Sequence, residues 1–227
     1  MNALTQLPKT LDETYEPILC GITRENRPYV QKALHLLSYD FSIEYLEQIH
    51  TALAVDTESL EYLKDCPPCD PLAIIDICTC LIINSQSSSR TEIKLAHYTV
   101  KEYLVSNRVS IGPASYFELS EAEANAMMAK TFLVYMLNTK TNRYSGRKDF
   151  EHSALRRWRP LLSRVIWADE EDPGQPIARL ILRLVDPLRP GFDAWAAAML
   201  HCISTNFTSY GVYGINVKSL RHCSSYT

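Results

Sequence analysis

Apolar residues recur at helical spacing along most of the chain and alternate in only one region. Thr10-Leu11-Asp12-Glu13 has the form of a capping box, and Leu11, Tyr15, Ile18, Leu19 and Ile22 follow it, which predicts a helix over about 11–23. Pro28 suits a helix start, and Val30, Ala33, Leu34 and Leu37 give a second helix its apolar face. Ser42 is placed to cap a third helix with the stripe Ile43, Leu46, Ile49 and Leu53, and Glu44 and Glu47 favour its N-terminal end. After the loop "DCPPCDP", Asp70 as cap and Pro71 at the first position predict a short helix, "PLAIIDICTCL". That segment is apolar almost all round, so burial is expected.

The runs "LIIN" and "EIKLAHY" are β-prone and flank the polar "SQSSSR", which reads as a hairpin. Thr99-Val100-Lys101-Glu102 repeats the capping-box form and predicts a helix through Val105. Helix, helix, helix, hairpin, helix is the order of a winged helix. Ser120-Glu121-Ala122-Glu123 opens a predicted helix of about five turns, with Ala126, Met127, Leu133, Met136 and Leu137 on it. Residues 138–165 are polar and basic, and "DEEDPGQP" is a break. "IARLILRLVD" and "FDAWAAAML" predict two more helices before a polar tail from Ser204 without periodicity. The expected fold class is mainly α: a winged-helix domain with a small two-stranded β-hairpin, plus a helical extension.

Composition narrows the function classes. A chain of 227 residues with 46% hydrophobic and 22% charged residues can bury a core and is ordinary for a globular protein. A net charge of -3 argues against a dedicated nucleic-acid binder. No run approaches the roughly 18 apolar residues of a membrane helix, and "MNALTQLPKTLDE" lacks the form of a signal peptide, so a cytoplasmic protein without membrane contact is expected. Seven cysteines, an odd number, fit reduced thiols better than a disulfide framework. None of the seven glycines precedes a Lys-Ser or Lys-Thr pair, so the chain holds no Walker A loop.

Six segments in order resemble the region that follows the nucleotide-binding NACHT module in fungal STAND proteins, signal-transducing NTPases that oligomerise. "LPKTLDETYEPIL" resembles the end of that module. "ALHLLSYDFSIEYLEQIHTALAVD" resembles the start of the attached winged helix, of the GPI inositol-deacylase type, although "SIEYLEQIH" is longer than the usual second helix. "DPLAIIDICTCLI" and "IKLAHYTVKEYLVSNRV" match its third helix, wing and following helix. "YFELSEAEANAMMAKTFLVYML" and "LVDPLRPGFDAW" are similar to the helical stretch that leads into ankyrin repeats. The likeness runs from about 7 to 198 and implies a C-terminal NACHT helix at 1–23, a winged helix at 24–110, a helical linker region at 111–202 and an irregular tail at 203–227. It further implies a non-catalytic regulatory module that couples nucleotide state to oligomerisation in non-self recognition and programmed cell death. Its partners would be the NACHT and ankyrin regions of the same or related proteins. No cofactor is implied for this chain itself, and ADP or ATP would act only through a NACHT module. The NTPase core is missing here, and the tail does not resemble the ankyrin array expected near 205. A DNA-binding winged-helix regulator and a non-functional fragment of a larger protein are the alternatives.

Three groups of residues are candidates for chemistry. In STAND proteins a histidine at the end of the wing contacts the β-phosphate of bound ADP, and His97 in "LAHYTVKEYL" holds the matching place. A helix N-terminus suits an anion there. The competing reading puts His97 on the core side of the wing strand with Leu95. Cys66, Cys69, Cys78 and Cys80 are weak candidates for zinc; Cys78 and Cys80, two apart on a helix, would diverge unless it ended early, and free thiols are the alternative. "CPPC" lacks the βαβ context of a redox pair. Arg143, Arg147, Lys148, Arg156, Arg157 and Arg159, with Tyr144, Phe150 and Trp158 interleaved, make a basic patch for a phosphate backbone or an acidic partner, or else a solvated helix face anchored by Trp158. The predicted third helix of the winged helix carries no Lys or Arg to read bases, and no nucleophile–base pair has a recognisable spacing, so no catalytic residue is assigned.

Overall fold

The computed structural model describes residues 10–63, 70–87, 90–140, 149–164 and 176–209. It is mainly helical with two small antiparallel two-stranded sheets. The first half holds α1 (Leu11–Gly21), α2 (Arg27–Ser38), α3 (Leu46–Leu53), β1 (Val55–Asp56), β2 (Glu61–Tyr62), α4 (Ala73–Ile77), β3 (Ile82–Ser87), β4 (Arg90–Leu95), α5 (Tyr98–Leu104) and α6 (Asn107–Ile111). The second half is α7 (Glu121–Asn138), α8 (Phe150–Leu162), α9 (Pro176–Val185) and α10 (Phe192–Ser209). Single turns of 3-10 helix lie at Thr79–Leu81 and Ser115–Phe117. The expected order of three helices, hairpin and helix is present in α2 to α5, with the short β1–β2 pair inserted.

Local chemistry explains the helix starts that were foreseen. Thr10 caps α1, its Oγ1 accepting from the Glu13 amide at 3.2 Å, and Ser120 caps α7, its Oγ accepting from the Glu123 amide at 3.5 Å. Pro28 sits in the first turn of α2, and α7 runs 18 residues, five turns.

Three expectations are corrected. The third helix does not start from Ser42: its N-cap is Tyr45, and Ser42 takes a left-handed φ of 57°. Residues 44 and 45 go to the hairpin instead. Ile93 donates its amide to the Glu44 carbonyl at 2.8 Å, and Tyr45 forms a single antiparallel bridge with Glu92. The Gln48 side chain then closes the start of α3 by accepting from the Glu44 and Tyr45 amides at 3.0 and 3.1 Å. Second, the segment 71–81 is shorter in helix and less buried than its composition implies. Asp70 accepts from the Leu72 amide in a turn, α4 starts only at Ala73, and Thr79 at φ 53° breaks it after Cys78. Ile74, Cys78 and Leu81 are buried, while Leu72, Asp76, Thr79 and Cys80 are exposed. Third, the last helix continues past Ser204 to Ser209.

The hairpin pairs Ile82 with Leu95 and Asn84 with Ile93, which turns Ile82 and Ile93 to the core and leaves Ile83 and Lys94 exposed. α1 closes the other side of α5: Tyr15 lies 5.6 Å from Tyr103, centroid to centroid, and the Arg108–Asp12 pair spans 3.2 Å between α6 and α1. α7 is the central rod, with α8 and α9 packed on it and α10 on α8. The buried apolar residues form a cluster that runs from Tyr15 to Cys202. Trp158 of α8 and Trp195 of α10, 6.4 Å apart, join its C-terminal part.

Candidate functional site

β4 ends at Leu95, and the Ala96 amide donates to the Leu81 carbonyl at 2.9 Å, so the chain leaves the sheet one residue before His97. His97 is exposed with extended backbone, φ -153° and ψ 153°, and it is the N-cap of α5. The core-facing reading of this residue is therefore excluded. Thr99 is not the cap; it lies in the first turn, and its amide donates to His97 Nδ1 at 3.3 Å. The Thr99 hydroxyl is 2.8 Å from the same nitrogen and 2.7 Å from the Tyr15 hydroxyl. With Nδ1 accepting, the proton sits on Nε2. The relay runs from Tyr15 of α1 through Thr99 to the imidazole, so it locks ring orientation to the packing of α1 on α5 (the His97 ring also lies 4.4 Å from that of Tyr98). Such a site offers one N–H donor to an acceptor approaching the junction.

The remaining candidates do not gather there. Cys78 is fully buried, and burial pushes its thiol up to about 12, whereas Cys80 is exposed. The helix does end early, yet Cys78 lies in the core and Cys80 at the surface. Cys66 and Cys69 lie outside the described residues. Among the described residues no three His, Cys, Asp or Glu side chains are grouped to hold a metal ion.

Of the basic residues, Arg143, Arg147 and Lys148 also lie outside the described residues. α8 carries the other three, and it divides them. Arg157 is half-buried and reaches the 40–42 segment, donating to the Ser42 hydroxyl and lying 3.7 Å from Asp40. Arg156 and Arg159 are exposed along a cleft with Met199 and Cys202 of α10. α8 itself is amphipathic, with Phe150, Ala154, Leu155, Trp158 and Leu161 buried.

Several residues position elements in a way that no sequence signal foretold. Gln48, Ser153 and Arg157 lock α8 onto the 40–48 segment through bonds more than 100 residues long in sequence. Among the described helices none is long and apolar enough to cross a membrane.

No protein-family model matches the chain, and no solved structure matches it significantly. The chain is similar to the azaphilone pigments biosynthesis cluster protein L of Monascus ruber, with 34% identity over 139 residues, 59% of this chain and 29% of that protein. The matched region thus spans less than a third of that relative's length.

Proposed function

We propose that the chain is a non-catalytic regulatory and interaction module of a NACHT-type signalling protein. In this reading it acts in the cytoplasm and couples a nucleotide state, held by a separate NACHT module, to oligomerisation. The hairpin–helix junction carries the reading. An exposed histidine, its Nδ1 committed to the helix it caps, leaves Nε2–H for an acceptor at the place where the resemblance expects a β-phosphate contact. The surface of the 71–81 segment around α4 supports a protein partner over DNA: its exposed residues are Leu72, Asp76, Thr79 and Cys80, with no basic side chain to neutralise a phosphate. The much greater length of the Monascus ruber relative is in keeping with a module of a larger protein. That relative's name gives a pigment biosynthesis cluster and no activity, so it favours no reaction. Sequencing the full-length transcript tests the proposal. An in-frame Walker A loop upstream and ankyrin repeats downstream are expected; a transcript that encodes neither contradicts it.

A further inference from the structure

The Thr99 hydroxyl is shared by two groups, the Tyr15 hydroxyl of α1 at 2.7 Å and His97 Nδ1 at 2.8 Å. Tyr15 is only 9% exposed, and among the described residues its hydroxyl has no other hydrogen-bond partner. A buried O–H without an acceptor is costly, so Tyr15 donates and Thr99 accepts. A hydroxyl that accepts is the stronger donor, which turns the Thr99 proton onto Nδ1. The Thr99 amide reaches the same nitrogen at 3.3 Å, long for an N–H bond. The two short O–H bonds therefore do most to fix the tautomer.

The turn that carries Tyr15 can move without α1 leaving the core. α1 packs chiefly on α5, and Leu19 and Ile22 at its far end are buried. Pro17 stands between those anchors and Tyr15 and has no N–H to give to the helical ladder. The Arg108–Asp12 pair that ties down the first turn is exposed, and such pairs hold weakly. A shift of about 1 Å takes the Tyr15 hydroxyl out of reach of Thr99. Thr99 Oγ1 then has a lone pair for a proton on Nδ1, and its own proton turns to water. We infer that Tyr15 and Thr99 are positioning residues through which the seating of α1 decides what His97 offers. With α1 seated, Nε2–H is a donor. With α1 shifted, Nε2 gives its proton to water, Nδ1 takes one from water, and Nε2 becomes a lone pair that repels an anion. The effect on a β-phosphate rests on the nucleotide reading of His97 proposed above; the relay itself does not.

Imidazole nitrogens labelled with 15N in the whole chain test the inference at about pH 8, where an ordinary histidine is neutral. The separation of the Nδ1 and Nε2 signals reports the tautomer. In the natural chain His97 is expected to show the wide separation of a single Nε2–H form. Tyr15→Phe keeps the ring on Tyr103 and removes only the hydroxyl; it should draw the two His97 signals together, and so should Thr99→Val. Thr99→Ser, which retains the hydroxyl, should leave them apart. The signals of His35, which is buried in α2, should stay fixed in all three and so report an intact fold. Unmoved His97 signals in Tyr15→Phe, or the same collapse in Thr99→Ser, would overturn the relay. In a full-length protein with a NACHT module, Tyr15→Phe should speed ADP dissociation roughly threefold and add nothing to His97→Ala. If the His97 signals respond to Tyr15→Phe while ADP release ignores both substitutions, the nucleotide reading fails and the relay stands.

Discussion

His35 and His97 differ in what Nδ1 does. In His97 it accepts from the Thr99 amide, so Nε2 donates; in His35 it donates to the Gln31 carbonyl, so Nε2 accepts. Neither tautomer could be read from the sequence, because each depends on where a helix begins. His97 was legible as a residue at a wing–helix junction, but its role as cap required β4 to end at Leu95. His35 stood in the run "ALHLL" with nothing to mark it, and only the fold shows it buried beside a cleft. Its burial has a consequence for stability. The folded pKa lies below the ordinary 6.5, so on acidification the unfolded chain takes up a proton first. The associated stability is present above about pH 6.5 and is lost as pH falls toward the folded pKa. Denaturation curves from about pH 7.5 to 5.5 should therefore show a shallower loss of stability in His35→Gln than in the natural chain. Identical pH dependence in the two would contradict this.

At the scale of elements, helix starts set by short-range bonds were legible and those set by distant contacts were not. Thr10 and Ser120 cap helices through amides three residues away, so their patterns were sufficient. Ser42 looked like the same kind of residue, but Ser153 and Arg157 of α8 hold its carbonyl and hydroxyl, and the hairpin takes residues 44 and 45. Gln48 is the hinge of this arrangement, being 3% exposed and bonded to two amides. Gln48→Leu leaves those amides without their acceptor and should cost about 2–3 kcal/mol in chemical denaturation; a loss below about 0.5 kcal/mol would show that the contact is dispensable. Thr79 offers the reverse case. It is exposed and β-branched at φ 53°, a conformation that costs about 1–3 kcal/mol outside glycine. Thr79→Gly relieves that strain but adds freedom to the unfolded chain, so a net gain of about 1 kcal/mol is expected in the same assay. A destabilised variant would show that the left-handed turn is not strained.

For the molecule as a whole, the mainly helical class and the hairpin followed from hydrophobic spacing, because that spacing records which faces are buried. How the parts join did not. The buried cluster runs without a break across residues 23–24 and 110–111, with Tyr15 of α1 packed on Tyr103 of α5 and α7 packed against both β1–β2 and α8. Residues this closely shared should unfold together. Amide exchange at Leu34 and Phe132 and fluorescence from Trp158 and Trp195 are expected to report one denaturation midpoint. Separate midpoints for α2 and α7 would show two independent units.

The proposed function rests most heavily on the junction at His97, and ADP release tests that proposal directly. On the proposed reading, His97→Ala in a full-length protein with a NACHT module would remove one N–H donor to a charged phosphate and should speed ADP dissociation roughly tenfold or more. His97→Ala with an unchanged dissociation rate would contradict the account.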